Sequence, residues 1–67
     1  MTLSQREREV LALIGDGHLK KQVADQLGVS QRTVATHLEH IYKKLQVQNA
    51  PSAISKAYKL GLFEIRK

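Results

Sequence analysis

The chain has 67 residues, a formal net charge of +5 and no cysteine. A sequence this short forms one domain at most, here residues 1–67, and buries only about 60% of its unfolded surface. Without cysteine there is no disulfide or thiolate metal site, which suits a cytoplasmic protein. No apolar run approaches the roughly 18 residues that cross a bilayer, and no signal peptide is visible, so no membrane partner is expected.

The first predicted helix covers about residues 5–15. Ser4 and Glu7, three residues apart, have the spacing of a capping box, in which each side chain binds the other residue's backbone N–H. Apolar residues then recur at helical spacing, namely Val10, Leu11 and Ile14. A Gly-Asp-Gly turn follows and ends the helix.

The second predicted helix covers about residues 20–27, and its beginning is weakly marked because Leu19 has no capping side chain. Ala24 is small enough for two helices to approach closely. Gly28 can adopt the left-handed conformation that ends a helix, and Ser30 can cap the next one. This order predicts a helix-turn-helix, a motif whose second helix enters the DNA major groove.

The third predicted helix covers residues 31–45 and has two distinct sides. An apolar stripe predicts the buried side, namely Val34, Leu38, Ile41 and Leu45. Polar residues lie on the reverse, namely Arg32, Thr36, Glu39 and Lys43. The small residues Ala35 and Thr36 let the backbone come close to a partner.

The fourth predicted helix covers about residues 50–60, with Asn49 as N-cap, Pro51 tolerated in the first turn and Gly61 suited to the C-terminal turn. Its apolar face consists of Ala53, Ile54, Ala57 and Leu60. We expect residues 62–65 to fold back over the core. Four helices without strand-like alternation predict an all-α, four-helix helix-turn-helix DNA-binding domain.

Three segments, in chain order, match motifs of one known family. LSQREREVL at 3–11 matches Leu-Thr-x-Arg-Glu-x-Glu-Val-Leu. VSQRTVATHLEHIYKKLQV at 29–47 matches Ile-Ser-x-x-Thr-Val-Lys-x-His and the Lys-Leu-x-Val that follows it. AYKLGL at 57–62 matches Ala-x-x-Leu-Gly-Leu. Together they resemble the LuxR/NarL-type helix-turn-helix family, also called GerE-like.

The resemblance implies a DNA-binding domain of bacterial transcription regulators, whose third helix reads DNA and whose fourth helix forms the dimer contact in many members. The implied partners are double-stranded DNA, a second copy of the chain and RNA polymerase. The dimer contact would lie on the outer surface of the fourth helix, namely Ser52, Ser55, Lys56 and Lys59. Such domains usually end a longer protein with a receiver or ligand-binding domain.

The chain departs from the family pattern at a few positions. Ala35 stands where the family usually has a DNA-contacting Lys, which affects the sequence that is read. Ala50 stands where the family usually has an Arg that often pairs with the glutamate matched here by Glu7. Leu19 and Lys20 replace the usual Ser or Thr cap and Asn. The departures at Ala50 and at Leu19 and Lys20 concern the stability of the domain.

The residues expected to read bases are Arg32, Ala35, Thr36 and Glu39. Arg32 can bond guanine or a phosphate, while the methyl groups of Ala35 and Thr36 can touch a thymine methyl. Glu39 can accept a bond from cytosine N4. The alternative for Glu39 is an ion pair with Lys43 one turn further on.

A larger set is expected to contact phosphates, namely Lys20, Lys21, Gln31, Thr33, His37, His40, Lys43 and Lys44. Each neutralised phosphate releases counterions, so binding should depend on salt. Two simpler roles remain open. The Thr33 hydroxyl can instead bond its own helix backbone, and Lys43 and Lys44 can simply favour the helix C-terminus.

Other chemistries have little support. His37 and His40 lack a third metal ligand, so neither a metal nor a cofactor is expected. No spacing of Ser, His and Asp suggests a catalytic triad, so no enzyme activity is expected. Glu7 and Glu9 are interpreted as a cap and a surface charge. The aromatic residues are too few and scattered to stack single-stranded bases, namely Tyr42, Tyr58 and Phe63.

Two alternatives to this reading remain. Region four of a bacterial sigma factor has a similar opening motif, although the Leu-Gly-Leu ending favours the LuxR/NarL type. A protein-interaction module with the same fold and weakened DNA binding is the second alternative, and Ala35 is the residue that supports it.

Overall fold

The computed structural model describes residues 3–62. This range forms four helices and contains no strand. The helices are α1 (Gln5–Gly15), α2 (Lys20–Leu27), α3 (Gln31–Leu45) and α4 (Ala50–Lys59). The predicted all-α class is confirmed, and the predicted bounds hold except that α4 ends one residue earlier.

The helices begin where local side chains bind the first backbone N–H groups. Ser4 and Glu7 form the predicted capping box, with the Ser4 N–H donating to Glu7 Oε1 at 2.8 Å and the Glu7 N–H donating to Ser4 Oγ at 3.1 Å. At the start of α2, Leu19 offers no side-chain cap, but its N–H donates to Gln22 Oε1 at 2.8 Å. Gln22 therefore supplies half of a capping box that the sequence reading missed.

The turn between α2 and α3 has the predicted geometry. Gly28 is left-handed, with φ of 69°, and the Val29 N–H donates to the Ala24 carbonyl at 3.0 Å. Ser30 then caps α3, since its Oγ accepts the Thr33 N–H at 3.1 Å. This turn fixes the direction in which α3 leaves α2.

The core lies where α3 crosses the other three helices, each of which packs against it. All four residues of the predicted α3 stripe are buried. Residues from the remaining helices complete the core, namely Leu3, Val10, Leu11, Val23, Ala24, Ala53 and Ala57. Because α3 buries one side, its opposite side is left at the surface.

The end of α4 differs from the prediction at Leu60, which was assigned to the apolar face but is 53% exposed. The helix stops at Lys59, and left-handed Gly61 turns the chain. The Leu62 N–H then donates to the Ala57 carbonyl at 2.9 Å, so Leu62 packs on the core instead. The predicted return of residues 63–65 lies outside the described residues.

Candidate nucleic-acid interface

The four predicted base-reading residues lie together on α3, and we call them the reading face: Arg32, Ala35, Thr36 and Glu39. Ala35 is half-buried and the others are exposed. Within residues 3–62, the Arg32 and Glu39 side chains make no hydrogen bond or ion pair. The alternative pairing of Glu39 with Lys43 is absent from this range, which leaves the carboxylate available to a partner.

Thr36 uses its hydroxyl proton inside the helix. Its Oγ1 donates to the Arg32 carbonyl, one turn earlier, at 3.0 Å. With that proton engaged, the hydroxyl has none to donate to a base edge. The methyl group is therefore the part of Thr36 that stays available for a thymine methyl, and that contact stays a prediction.

Within residues 3–62, the Thr33 hydroxyl does not make the local backbone bond that was the alternative to a phosphate contact. Its Oγ1 lies 3.0 Å from Ser30 Oγ, so the two hydroxyls bond each other at the N-terminus of α3. The expected alternative, a bond from the Thr33 hydroxyl to its own helix backbone, is absent from the described residues. A phosphate contact by Thr33 stays a prediction.

The remaining phosphate candidates lie on α2 and α3, two helices that pack against each other. Those exposed are Lys20, Lys21, Gln31, His40 and Lys43, while His37 and Lys44 are half-buried. Lys20 and Lys21 occupy the first turn of α2, which contains no acidic residue. Two cations beside the positive end of a helix are locally unfavourable, so a nearby anion would relieve them.

Lys44 makes a contact that the sequence did not indicate. Its Nζ donates to Glu7 Oε1 at 2.7 Å, across 37 positions of the chain. The Glu7 side chain is only 6% exposed and that of Lys44 39% exposed. Glu7 was interpreted as a cap alone, and it also carries this ion pair. The Lys44 ammonium has further protons, so its predicted phosphate contact is neither confirmed nor refuted.

The pair sets the charge of Glu7. Burial raises the pKa of the Glu7 carboxyl. The hydrogen bond from Lys44, the bonds from Ser4 and the attraction to the Lys44 charge together lower this pKa by more than burial raises it. The net result is a pKa below the ordinary value, so Glu7 is ionised when its partner is charged. By comparison, Glu9 lies at the surface as predicted, 3.5 Å from Arg6.

The outer surface of α4 holds the four predicted dimer residues. Ser52, Ser55 and Lys59 are exposed and Lys56 is half-buried. Together with Val47 and Pro51 they line an open groove. The side chains of the predicted dimer contact are therefore contiguous, and the contact itself stays a prediction.

Within residues 3–62 no three His, Asp or Glu side chains lie close enough together to hold a metal ion. None of the helices in that range is long and apolar enough to cross a membrane. His18, which the sequence reading passed over, closes the α1–α2 turn, with Nδ1 3.1 Å from the Leu13 carbonyl oxygen.

Comparison with known proteins places this helical domain in a family. Residues 1–57 match the family described as bacterial regulatory proteins, luxR family. The chain is 46% identical over 61 residues to the transcriptional activator protein CarR of Pectobacterium carotovorum, covering 91% of this chain and 25% of that protein. It is 40% identical over 62 residues to the oxygen regulatory protein NreC of Staphylococcus carnosus, covering 92% of this chain and 29% of that protein.

A solved structure agrees in fold. The crystal structure of the response regulator ChrA, of a heme-sensing two-component system, superposes with a TM-score of 0.89 at 43% identity. The match covers 94% of this chain and 31% of ChrA. The chain therefore spans less than a third of these three relatives.

The chain belongs to the luxR family of bacterial regulatory proteins, as a helix-turn-helix domain of the LuxR type. The resemblance inferred from the three sequence segments is thereby confirmed. The family match favours this assignment over region four of a sigma factor. Membership implies DNA-binding regulation of transcription, and the family is one of regulators rather than enzymes.

Proposed function

We propose that this domain binds double-stranded DNA in a sequence-specific manner, with α3 lying in the major groove. The observation that carries the proposal is the division of α3 into a buried stripe and an exposed reading face whose Arg32 and Glu39 side chains are unpaired within residues 3–62. A polar face held rigidly by packing on its reverse is what direct base readout requires.

Arg32 and Glu39 supply complementary recognition chemistry. The Arg32 guanidinium can donate two bonds to guanine or bind a phosphate. Every phosphate repels the Glu39 carboxylate. This repulsion is offset only where the carboxylate accepts a bond from cytosine N4. Ala35 and the Thr36 methyl fit a thymine methyl. Glu39 thus adds discrimination rather than affinity.

Phosphate contacts supply most of the affinity in this proposal. The basic side chains on α2 and α3 neutralise the DNA backbone, and the net charge of +5 supports association. The candidates are Lys20, Lys21, Gln31, Thr33, His37, His40 and Lys43. Lys44 also belongs to the predicted set, but its Nζ is bonded to Glu7. If four to six phosphates are neutralised, log K should fall with log salt at a slope of about −4 to −5.

We also propose a weak two-fold contact through the outer surface of α4. Exposed Ser52 and Ser55 allow close approach, whereas Lys56 and Lys59 repel their copies across the axis. The isolated domain is then a monomer that pairs when DNA aligns two copies. A cytoplasmic location, RNA polymerase as a further partner and a longer parent protein fit the same role.

Fluorescence anisotropy with a labelled duplex tests DNA binding, using a salt series on random and promoter DNA. Lys43→Gln should reduce the steepness of the salt slope by about 0.9, because one phosphate contact is lost. Arg6→Gln is the matched control, since it removes an exposed cation that lies on α1 beside Glu9. A flat salt response would contradict the electrostatic account.

Ala35 supports the second candidate, a protein-interaction module of the same fold. Its half-buried methyl group offers no donor to a base edge, where the resembled family usually has a Lys. Under this alternative the chain pairs with a related regulator and DNA affinity is weak. Absence of duplex binding at low salt would favour it.

A further inference from the structure

The ion pair between Glu7 and Lys44 joins the first turn of α1 to the last turn of α3. Lys44 Nζ and Glu7 Oε1 are 2.7 Å apart. The same carboxylate oxygen accepts the Ser4 N–H at 2.8 Å. The capping box therefore fixes the carboxylate on α1, and the carboxylate in turn fixes the end of α3.

Lys44 and its neighbour Lys43 point to different sides of α3. One step along an α-helix is a rotation of about 100°. Lys43 is seven residues after Thr36 and shares its exposed side, whereas Lys44 is seven residues after half-buried His37. The Lys44 side chain reaches α1, on a different side of the helix from the reading face.

We propose that Lys44, held by Glu7, is a positioning residue for DNA binding. This inference rests on the proposed DNA-binding function. The 15 residues of α3 span about 22 Å, and the N-terminus is fixed by the turn at Gly28 and Ser30. A tilt of about 5° around that turn moves the last turn of α3 by about 2 Å. Such a shift misaligns α3 with the base edges, whose hydrogen bonds depend on direction, while the long Lys43 side chain still reaches its phosphate. An anchor at Lys44 therefore keeps the whole helix in register with DNA.

The charge change distinguishes positioning from simple electrostatics. Glu7→Gln raises the net charge by one and should strengthen DNA binding if only charge matters. If Lys44 positions α3, Glu7→Gln should instead weaken DNA binding, because Lys44 loses its anchor. Glu9→Gln is the matched control, since it makes the same charge change on the same helix at an exposed pair.

The experiment measures duplex affinity over a salt series, at a temperature where circular dichroism shows every variant more than nine-tenths folded. Under that condition, partial unfolding changes the apparent Kd by no more than about 10%. We expect Glu9→Gln to bind as tightly as the unchanged chain or tighter. We expect Glu7→Gln to bind about fivefold more weakly, at the lower end of typical coupling between two sites.

Variants at Lys44 provide a second readout. Lys44→Gln should weaken binding without changing the salt slope, and Lys44→Arg should restore it. Lys43→Gln should instead reduce the steepness of the slope by about 0.9. A slope change of that size in Lys44→Gln would show that Lys44 itself contacts phosphate and would overturn the positioning role.

The same measurements distinguish failure of the proposed DNA-binding function from failure of the positioning role of Lys44. If the unchanged chain does not bind duplex DNA, the proposed function is refuted and the positioning role with it. If the unchanged chain binds and Glu7→Gln matches Glu9→Gln, the positioning role alone is overturned.

Discussion

Replacing Glu7 with Gln should destabilise the fold by about 2 kcal/mol. Gln retains the capping box, since it can occupy the same position in that motif, so the substitution isolates the charge. Losing one partner of a buried ion pair destabilises by about 3–5 kcal/mol, whereas exposed pairs contribute about 0–1 kcal/mol. Glu7 is buried but the Lys44 side chain is 39% exposed. Solvent screening of Lys44 therefore places the effect between these two ranges.

Thermal unfolding at neutral pH measures the effect. For a domain of this size 1 kcal/mol corresponds to about 4–8 °C, so the midpoint should fall by about 8–16 °C. The difference should depend on pH. Because the pKa of Glu7 is lowered on folding, its contribution is present above its ordinary value of 4.5 and is lost as the pH falls below that value. The two proteins should converge in stability in strong acid.

Two comparisons check the reasoning. Glu9→Gln removes the exposed partner of Arg6 and should change stability by less than about 0.5 kcal/mol. A double-mutant cycle of Glu7→Gln with Lys44→Met should give a coupling energy above about 1 kcal/mol. Equal effects of Glu7→Gln and Glu9→Gln, or a coupling near zero, would refute the assigned role of the ion pair.

Three further outcomes are expected. Glu39→Ala should lose discrimination at one base position of a half-site panel by about 1–3 kcal/mol, and a uniform gain across all sequences would exclude a base contact. Thr36→Val should keep discrimination at the thymine position, whereas Thr36→Ser should lose it, because the methyl rather than the hydroxyl is available. Gln46→Gly should raise stability by about 0.5–1 kcal/mol in urea unfolding, since Gln46 has φ of 58° and glycine adopts this conformation without steric penalty.

Local signals sufficed to predict most of the helices. Ser4, Ser30 and Asn49 cap as expected, because a capping side chain acts within three residues of itself. The prediction that Leu60 lies on the apolar face of α4 was wrong, because the apolar period of the sequence continues past the point where the backbone leaves the helix. The left-handed residue that ends α3 could not be foreseen, since it is Gln46 rather than glycine.

The candidate site likewise has one part that the sequence predicts and one part that it does not. Its face on α3 follows from the helical period, which separates the buried stripe from Arg32 and Glu39. The Glu7–Lys44 pair does not, because its partners are 37 positions apart and only packing of α1 on α3 brings them together. Ala50, in place of an arginine, was the one sequence signal that Glu7 needed a different partner.

The segregation of α3 has a consequence for how binding specificity can change. Arg32 and Glu39 make no side-chain bond within residues 3–62. Under the proposed function, substitutions there should therefore alter the target sequence and leave folding intact. Thr33 and Lys44 are constrained, because each bonds another part of the domain. Mutational libraries for retargeting should therefore vary the first pair and hold the second pair constant, and natural divergence of binding sites can proceed by the same route.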